Sequence, residues 1–205
     1  MFALVCNKTM TISSKNSIFP PIAKKNPIYL KKFDSVRLDN YYWLNDRENP
    51  EVLDYLEREN KYYESMTINT KDFQKKIFEE IKNKIKEDDQ SVPYFLNGYW
   101  YITKFKENKD YPIYVRKKVS LDAIDELLFD CNKLAKGHEY FNLSNIRVSP
   151  NNKYAAFSTD TISRRLYTIK IKNLETGEIL SESINNSSGS FVWANDNSTL
   201  FYTMR

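Results

Sequence analysis

The sequence predicts a mainly β protein preceded by an α-helical segment, and three observations support this. The hydrophobic period changes from helical to alternating across Lys86–Tyr94, where Pro93 disfavours a helical conformation at Val92. Aromatic residues make up 15% of the chain and only 4 residues are glycine, which suits pleated sheets better than nucleotide-binding loops. After this change of period, a succession of four predicted strands occurs twice. We predict a disordered tail over residues 1–19, a helical extension over 20–89 and a β domain over 90–205.

The first 33 residues or so show the weakest hydrophobic periodicity in the chain. Residues 1–19 mix Thr, Ser, Asn and Lys without a period, as mobile termini often do. Pro20 and Pro21 then begin an extended segment that runs to Phe33. Because proline lacks a backbone N–H, we expect this segment to lie on another surface.

Two amphipathic helices are predicted next. Asn49 is a good N-cap and Pro50 suits the first helical position, so one helix should run from Pro50 to about Met66. Thr70 is predicted to cap a second helix. Its apolar stripe is formed by Phe73, Ile77, Phe78, Ile81 and Ile85. Two such helices cannot cover both stripes and also close a domain, so we expect them to need a further apolar surface.

After Val92 the pattern predicts a meander of four strands. Asn97-Gly98 between alternating aromatic residues is the strongest short-range hairpin signal. The predicted strands are Tyr94–Leu96, Tyr99–Phe105, Tyr111–Arg116 and Glu126–Asp130. The same order recurs in Asn145–Ser149, Tyr154–Ser158, Arg165–Ile171 and a strand that begins at Ile179.

A further predicted hairpin, Gly189–Trp193 with Thr199–Thr203, starts the pattern again. The repeat of about 40 to 50 residues is typical of β-propeller blades. We therefore predict a partial β-propeller with two four-stranded blades and the start of a third. Seven blades would need about 300 residues, so we expect a truncated propeller with an uncovered strand edge and blade face.

Charge, cysteine content and hydropathy narrow the class of function. The net charge is +4, but basic and acidic residues are interleaved, so we expect no nucleic-acid partner. Cys6 and Cys131 form no CxxC pair, which indicates a reducing compartment. No apolar run approaches the roughly 18 to 20 residues of a membrane span. We expect a cytoplasmic protein without a membrane partner.

The candidate catalytic residues do not form the pattern that serine acyl transfer needs. That chemistry requires a serine on a strand-to-helix elbow, a base and an orienting carboxylate. Ser188-Gly189-Ser190 precedes a strand and not a helix. The sole histidine, His138, lies in a predicted connection between blades. We expect neither to be catalytic.

Acidic and aromatic candidates also favour structural roles. Asp88-Asp89 and Asp46-Arg47-Glu48 have no histidine nearby and occupy a helix end and a pre-helix turn, where acids are common. Trp43, Trp100 and Trp193 lie among alternating apolar residues, which favours packing over ligand stacking. The prediction is therefore no catalytic residue, no metal site and no cofactor site in this chain.

Several strings resemble the prolyl oligopeptidase family of serine peptidases, and in particular its oligopeptidase B branch. They are Asp39–Val52, Ile85–Tyr94, Gly98–Tyr101, Tyr111–Tyr114 and Val192–Asp196, and the resemblance extends over residues 20–205. It implies a seven-bladed propeller over an α/β-hydrolase domain that carries a Ser-Asp-His triad and cleaves short peptides after Arg or Lys. Residues 20–89 would then be the hydrolase-side extension, and Lys86–Tyr94 a hinge between the two domains.

The resemblance also implies that this chain is inactive alone, because the triad belongs to the hydrolase domain. We expect the partner to be a separate hydrolase-domain chain, and peptide substrates to bind only in that complex. Two alternatives stay open. The chain could be a non-enzymatic propeller fragment that acts as a protein-interaction module, or a gene remnant.

Overall fold

The computed structural model describes residues 19–205 and divides into two compact units, Met1–Lys84 and Ile85–Arg205. The predicted tail, residues 1–19, lies outside the described residues except for Phe19, which is exposed. The structure ends the first unit at Lys84, whereas the sequence placed the boundary after residue 89. Asp89 and Gln90 pair with a strand of the second unit, which explains their place in it.

The first unit begins with a β-hairpin. Strand β1 (Ile28–Lys32) pairs antiparallel with β2 (Ser35–Asp39) through a turn at Phe33, whose φ is 53°. The sequence predicted an extended segment here, and β1 confirms it, but the pairing of β1 with β2 was not predicted. It missed β2 because a left-handed Phe33 is not a standard hairpin signal. A 3₁₀ turn follows at Tyr42–Asn45.

Helix α1 (Pro50–Thr67) begins as predicted, because Asn49 Oδ1 accepts a hydrogen bond from Glu51 N at 2.9 Å. Helix α2 (Lys71–Lys84) follows after a single 3₁₀ turn, Ile68–Thr70. The predicted cap at Thr70 is wrong. Its hydroxyl donates to Thr67 O at 2.7 Å and accepts from the Gln74 amide at 2.8 Å, because Thr70 lies inside the 3₁₀ turn.

Most apolar residues of the two helices are exposed. Val52 is the one buried residue of α1 within the described chain, at 3% exposure, and α2 has none. We define the α2 stripe as Phe73, Ile77, Phe78 and Ile81, all of them exposed. Ile85, predicted to belong to it, lies beyond the end of α2. The described residues of the first unit thus leave the α2 stripe uncovered. The stripe still needs the further apolar surface that we expected from the sequence.

The second unit starts with sheet 1, an antiparallel meander. Its strands are β3 (Asp89–Gln90), β4 (Tyr94–Leu96), β5 (Tyr99–Phe105), β6 (Ile113–Lys118) and β7 (Glu126–Asp130). Both β3 and β4 pair with the same side of β5, so they act as one interrupted edge strand. The four predicted strands are thus present, and β3 extends the first of them.

Sheet 2 follows the short helix α3 (Cys131–Leu134). Its strands are β8 (Asn142–Val148), β9 (Tyr154–Asp160), β10 (Tyr167–Asn173), β11 (Ile179–Trp193) and β12 (Leu200–Met204). They are hydrogen-bonded in the order β12-β11-β10-β9-β8. The predicted separate third-blade hairpin is therefore joined to the second sheet. Its first strand is the C-terminal part of β11, which continues without a break from the strand that begins at Ile179.

The core of the second unit lies on both sides of sheet 2. On β9, Ala155 and Phe157 face a cluster that contains Tyr101, Leu128 and Phe129 of sheet 1. The intervening Ala156 faces Ile169 and Phe191 on the opposite side. Successive side chains of a strand point to opposite faces, so β9 is buried on both. This two-sided burial is what stacking of propeller blades requires.

Candidate functional site

Ser188-Gly189-Ser190, weighed as a nucleophile elbow, lies inside strand β11. Gly189 O accepts hydrogen bonds from Ser158 Oγ at 3.2 Å and Asn145 Nδ2 at 3.4 Å. Ser188 Oγ is hydrogen-bonded to Thr203 Oγ1 of the neighbouring strand. The left-handed φ of Gly189, +87°, bends β11. The tripeptide thus joins strands and does not present a serine at the start of a helix.

His138 lies in the connection between sheets 1 and 2. Its backbone N–H donates to Ala135 O at 3.1 Å, and its ring stacks on Phe141 at 6.3 Å between centroids. It also lines a cavity of about 350 Å³ together with Lys170 and Asn185. No carboxylate lines that cavity, so the orienting partner of a catalytic base is absent from it.

The acidic candidates make local contacts. Asp88 pairs with Lys106 at 3.0 Å, and Asp89 with Lys86 at 3.5 Å. The backbone N–H of Gln90, followed by Lys86, holds the pKa of Asp89 below its usual value. Asp46 Oδ1 accepts from Glu48 N at 3.3 Å. Within residues 19–205, no three His, Cys, Asp or Glu side chains converge in a way that could hold a metal ion.

Each of the three tryptophans is half-buried and donates its indole N–H to a backbone carbonyl. The acceptors are Lys24 O for Trp43, Val119 O for Trp100 and Arg147 O for Trp193, at 2.9, 3.0 and 2.8 Å. A buried indole usually has such a partner. The tryptophans thus tie segments of their own unit together.

Sheets 1 and 2 are joined by a nearly buried charge. Arg116, 5% exposed, donates through Nε to Glu126 at 2.8 Å within sheet 1 and through an NH group to Asn152 O of sheet 2 at 3.3 Å. Its guanidinium also lies 4.0 Å from the centroid of the Tyr99 ring. Asn152 in turn donates to Asn97 O at 3.0 Å. These contacts hold the turn at Asn97 in sheet 1 against the turn at Asn152 in sheet 2.

The structure also forms a cleft of about 200 Å³ where sheets 1 and 2 face each other, a site that sequence reasoning missed. We call it the tyrosine cleft. Its polar side chains are those of Tyr94, Tyr101, Thr103, Tyr114, Ser144, Asn145 and Arg147. Tyr94 stacks on Tyr101 with ring centroids 5.1 Å apart. Pairing of β4 with β5 and of β5 with β6 places the three tyrosines together, and the sequence shows only that tyrosines recur in these strands.

Two stacked antiparallel sheets, one of which has a strand buried on both faces, define a propeller-like β protein with a helical N-terminal segment. The chain belongs to the family described as prolyl oligopeptidase, N-terminal β-propeller domain, whose model matches residues 20–205. The resemblance found in the sequence is therefore confirmed. Among residues 19–205, no helix combines the length and the apolar character needed to span a membrane.

Two curated relatives support this assignment. The chain is 39% identical over 200 residues to dipeptidyl aminopeptidase BI of Pseudoxanthomonas mexicana, which covers 89% of this chain and 28% of the relative. It is 34% identical over 190 residues to protease 2 of Moraxella lacunata, with the same coverage of 89% and 28%. The chain thus spans less than a third of the length of these relatives.

Solved structures of two oligopeptidases B also support the assignment to this family. Oligopeptidase B from Leishmania major superposes with a TM-score of 0.79 at 27% identity, over 91% of this chain and 29% of that protein. Oligopeptidase B from Trypanosoma brucei, in a closed form with covalently bound antipain, gives 0.77 at 25% identity, with coverage of 91% and 29%. The match over nearly the whole described chain means that both units have counterparts in these peptidases.

Proposed function

We propose that this chain is the propeller-side portion of an oligopeptidase B-like serine peptidase that hydrolyses short peptides after Arg or Lys. In this proposal sheet 1 is the first blade, β8, β9, β10 and the first part of β11 are the second, and the last part of β11 with β12 begins the third. The catalytic residues come from a hydrolase domain, and the chain is inactive without it. The names of the relatives, protease 2 and oligopeptidase B, support the reaction class.

The observation that carries the proposal is the uncovered α2 stripe. A helix of 14 residues is marginal alone in water, because most helical stability in proteins comes from packing of an amphipathic face. Four large apolar side chains on one exposed face indicate that α2 packs against a partner. A separate hydrolase-domain chain is the partner that we propose for it. The free Cys131, 1% exposed, is compatible with the cytoplasm as the place where this complex works.

Complementation tests this function. The chain is co-expressed with the part of Moraxella lacunata protease 2 that it does not match, and cleavage of an Arg-containing fluorogenic peptide is measured. We expect turnover that an active-site serine probe blocks when both parts are present, and none with the chain alone. The double variant Ile77→Asp/Ile81→Asp should reduce turnover at least tenfold, because buried charges oppose docking. Serine-probe-sensitive turnover by the chain alone would contradict the proposal.

The matched control is Lys75→Asp, which places the same carboxylate on the charged side of α2. It should leave turnover unchanged. Because α2 has no buried residue, all three substitutions should preserve the far-ultraviolet circular dichroism spectrum of the chain. An equal loss of turnover in Lys75→Asp and in Ile77→Asp/Ile81→Asp would show that net charge, and not the α2 stripe, determines assembly.

A second candidate, a non-enzymatic interaction module, is favoured by strand β12. Phe201, Tyr202 and Met204 are exposed on this edge strand of sheet 2. Exposed edges with apolar side chains pair readily with other chains. This candidate predicts that the purified chain forms a discrete oligomer in sedimentation velocity. The substitution Tyr202→Lys should dissociate this oligomer into monomers. A monomer at micromolar concentration would exclude self-association through β12.

A further inference from the structure

The tyrosine cleft combines one cation with several hydrogen-bond donors and contains no acid. Arg147 is exposed and lines the cleft, and its one side-chain hydrogen bond within residues 19–205 goes to Ile146 O, at 2.9 Å. It forms no ion pair with another described residue. None of the residues that line the cleft is Asp or Glu. A guanidinium without a carboxylate partner beside neutral hydroxyls is an arrangement that favours an anion.

The tyrosine hydroxyls can act as donors over the whole physiological pH range. Burial raises the pKa of Tyr94 and of Tyr114 above the usual value of 10.0, and the nearby Arg147 only partly offsets this at Tyr94. Neither hydroxyl is hydrogen-bonded to another residue of the described chain. Each therefore has an O–H group free to donate to a ligand.

The size and the apolar part of the cleft limit the ligand further. A volume of about 200 Å³ is below the roughly 300 to 1,000 Å³ of pockets for drug-sized ligands, so a nucleotide does not fit. Leu128 and Leu143 line the cleft beside the polar groups. The ligand is therefore a small group that carries both a negative charge and an apolar side chain.

We propose that the tyrosine cleft binds the C-terminal residue of a short peptide. Arg147 and the hydroxyls of Tyr94 and Tyr114 hold the carboxylate, and Leu128 and Leu143 contact its side chain. The proposal builds on the function proposed above, since it makes the propeller portion hold one end of a peptide substrate. An internal segment of a folded protein has no such carboxylate. The cleft would therefore favour short peptides with an apolar C-terminal residue.

Nuclear magnetic resonance titration of the purified 205-residue chain tests the cleft without any hydrolysis. The probe is N-acetyl-leucine, and N-acetyl-leucinamide is the uncharged comparison. We expect saturable shifts of the amides of Ser144, Asn145 and Tyr114 with the acid, and about tenfold weaker binding of the amide. Equal binding of both compounds, or shifts that do not saturate, would overturn the proposal. So would equal binding of inorganic phosphate, which lacks the apolar group.

Variants assign the binding to named side chains. Arg147→Gln should weaken binding of N-acetyl-leucine about tenfold or more, and Tyr94→Phe about threefold. Arg165→Gln is the control, because Arg165 is exposed and does not line the cleft. Unchanged binding in Arg147→Gln would overturn the assignment. If the chain binds N-acetyl-leucine through Arg147 but fails complementation, the cleft proposal stands and the proposed peptidase function is wrong. If complementation succeeds but this binding is absent, only the cleft proposal is wrong.

Discussion

Asp196 shows how a single side chain closes a turn in this protein. Its carboxylate accepts hydrogen bonds from Thr199 Oγ1 at 2.6 Å, Thr199 N at 2.9 Å and Ser198 N at 3.0 Å, between β11 and β12. The bond from the Thr199 hydroxyl, followed by those from the two backbone N–H groups, lowers the pKa of Asp196 from 3.8 to about 2. The ionised carboxylate is therefore the form that the folded turn prefers.

Replacing Asp196 with Ala should lower stability in a pH-dependent way. A pKa lowered by folding means that the carboxylate stabilises the fold fully above the unfolded pKa, and that this contribution is lost as pH falls towards 2. The difference in urea midpoint between the parent and Asp196→Ala should therefore be largest at pH 7 and shrink by pH 3. Asp110→Ala is the control, since Asp110 makes no side-chain hydrogen bond within residues 19–205. A difference that is constant with pH would contradict the assignment.

At the scale of elements, strand β11 holds sheet 2 together by pairing with two partners. Its first part pairs with β10 and its last part with β12, and the register shifts between Ser187 and Phe191. Gly189 lies at this shift with a φ of +87°. A Cβ atom at this position would lie 2.8 Å from the Tyr167 ring. The bend therefore needs glycine for two separate reasons, backbone conformation and space.

Substitution at two glycines separates these reasons. Gly177 has a similar φ of +79°, but a Cβ atom there would meet no atom within 4 Å. Gly177→Ala should therefore cost only the backbone strain, about 1–2 kcal/mol. Gly189→Ala should cost more by about 1–3 kcal/mol, because the Tyr167 ring must move. Urea unfolding of both variants measures the difference, and equal losses would show that the Tyr167 ring moves aside at little cost.

For the second unit as a whole, the two sheets share one core. Phe157 of β9 is 2% exposed, and its ring lies 4.6 Å from that of Phe129 in sheet 1. Lys172 Nζ donates to Leu128 O at 2.7 Å across the same boundary. Contacts of this kind between buried side chains make elements unfold together. Sheets 1 and 2 should therefore behave as one cooperative unit.

Phe157→Ala tests this cooperativity. Loss of a buried phenyl ring should cost about 3–5 kcal/mol, whereas Phe201→Ala on the exposed edge should change stability by about 0.5 kcal/mol or less. In hydrogen exchange, Phe157→Ala should raise the exchange rates of the protected amides of β5 and β9 by the same factor, although β5 belongs to sheet 1. Faster exchange confined to sheet 2 would show that the sheets unfold separately.

The sequence by itself determined the helix start at Asn49, the strands of sheet 1 and the family. These depend on local chemistry: an N-cap side chain, alternation of apolar residues and Asn-Gly at a turn. It also showed correctly that Ser188-Gly189-Ser190 does not precede a helix. The features that it missed, such as β2 and the continuity of β11, need partners that are distant in sequence or a left-handed residue other than glycine.

Only the tertiary structure decided which faces are covered. The apolar run Tyr154–Phe157 in β9 does not identify what covers each side of the strand, and only the packing of Phe157 on sheet 1 and of Ala156 on Phe191 shows this. The tyrosine cleft has the same origin, since Tyr94, Tyr114 and Arg147 lie on three different strands. Local periodicity determines which side chains share a face of one strand, but contacts between strands decide what that face meets.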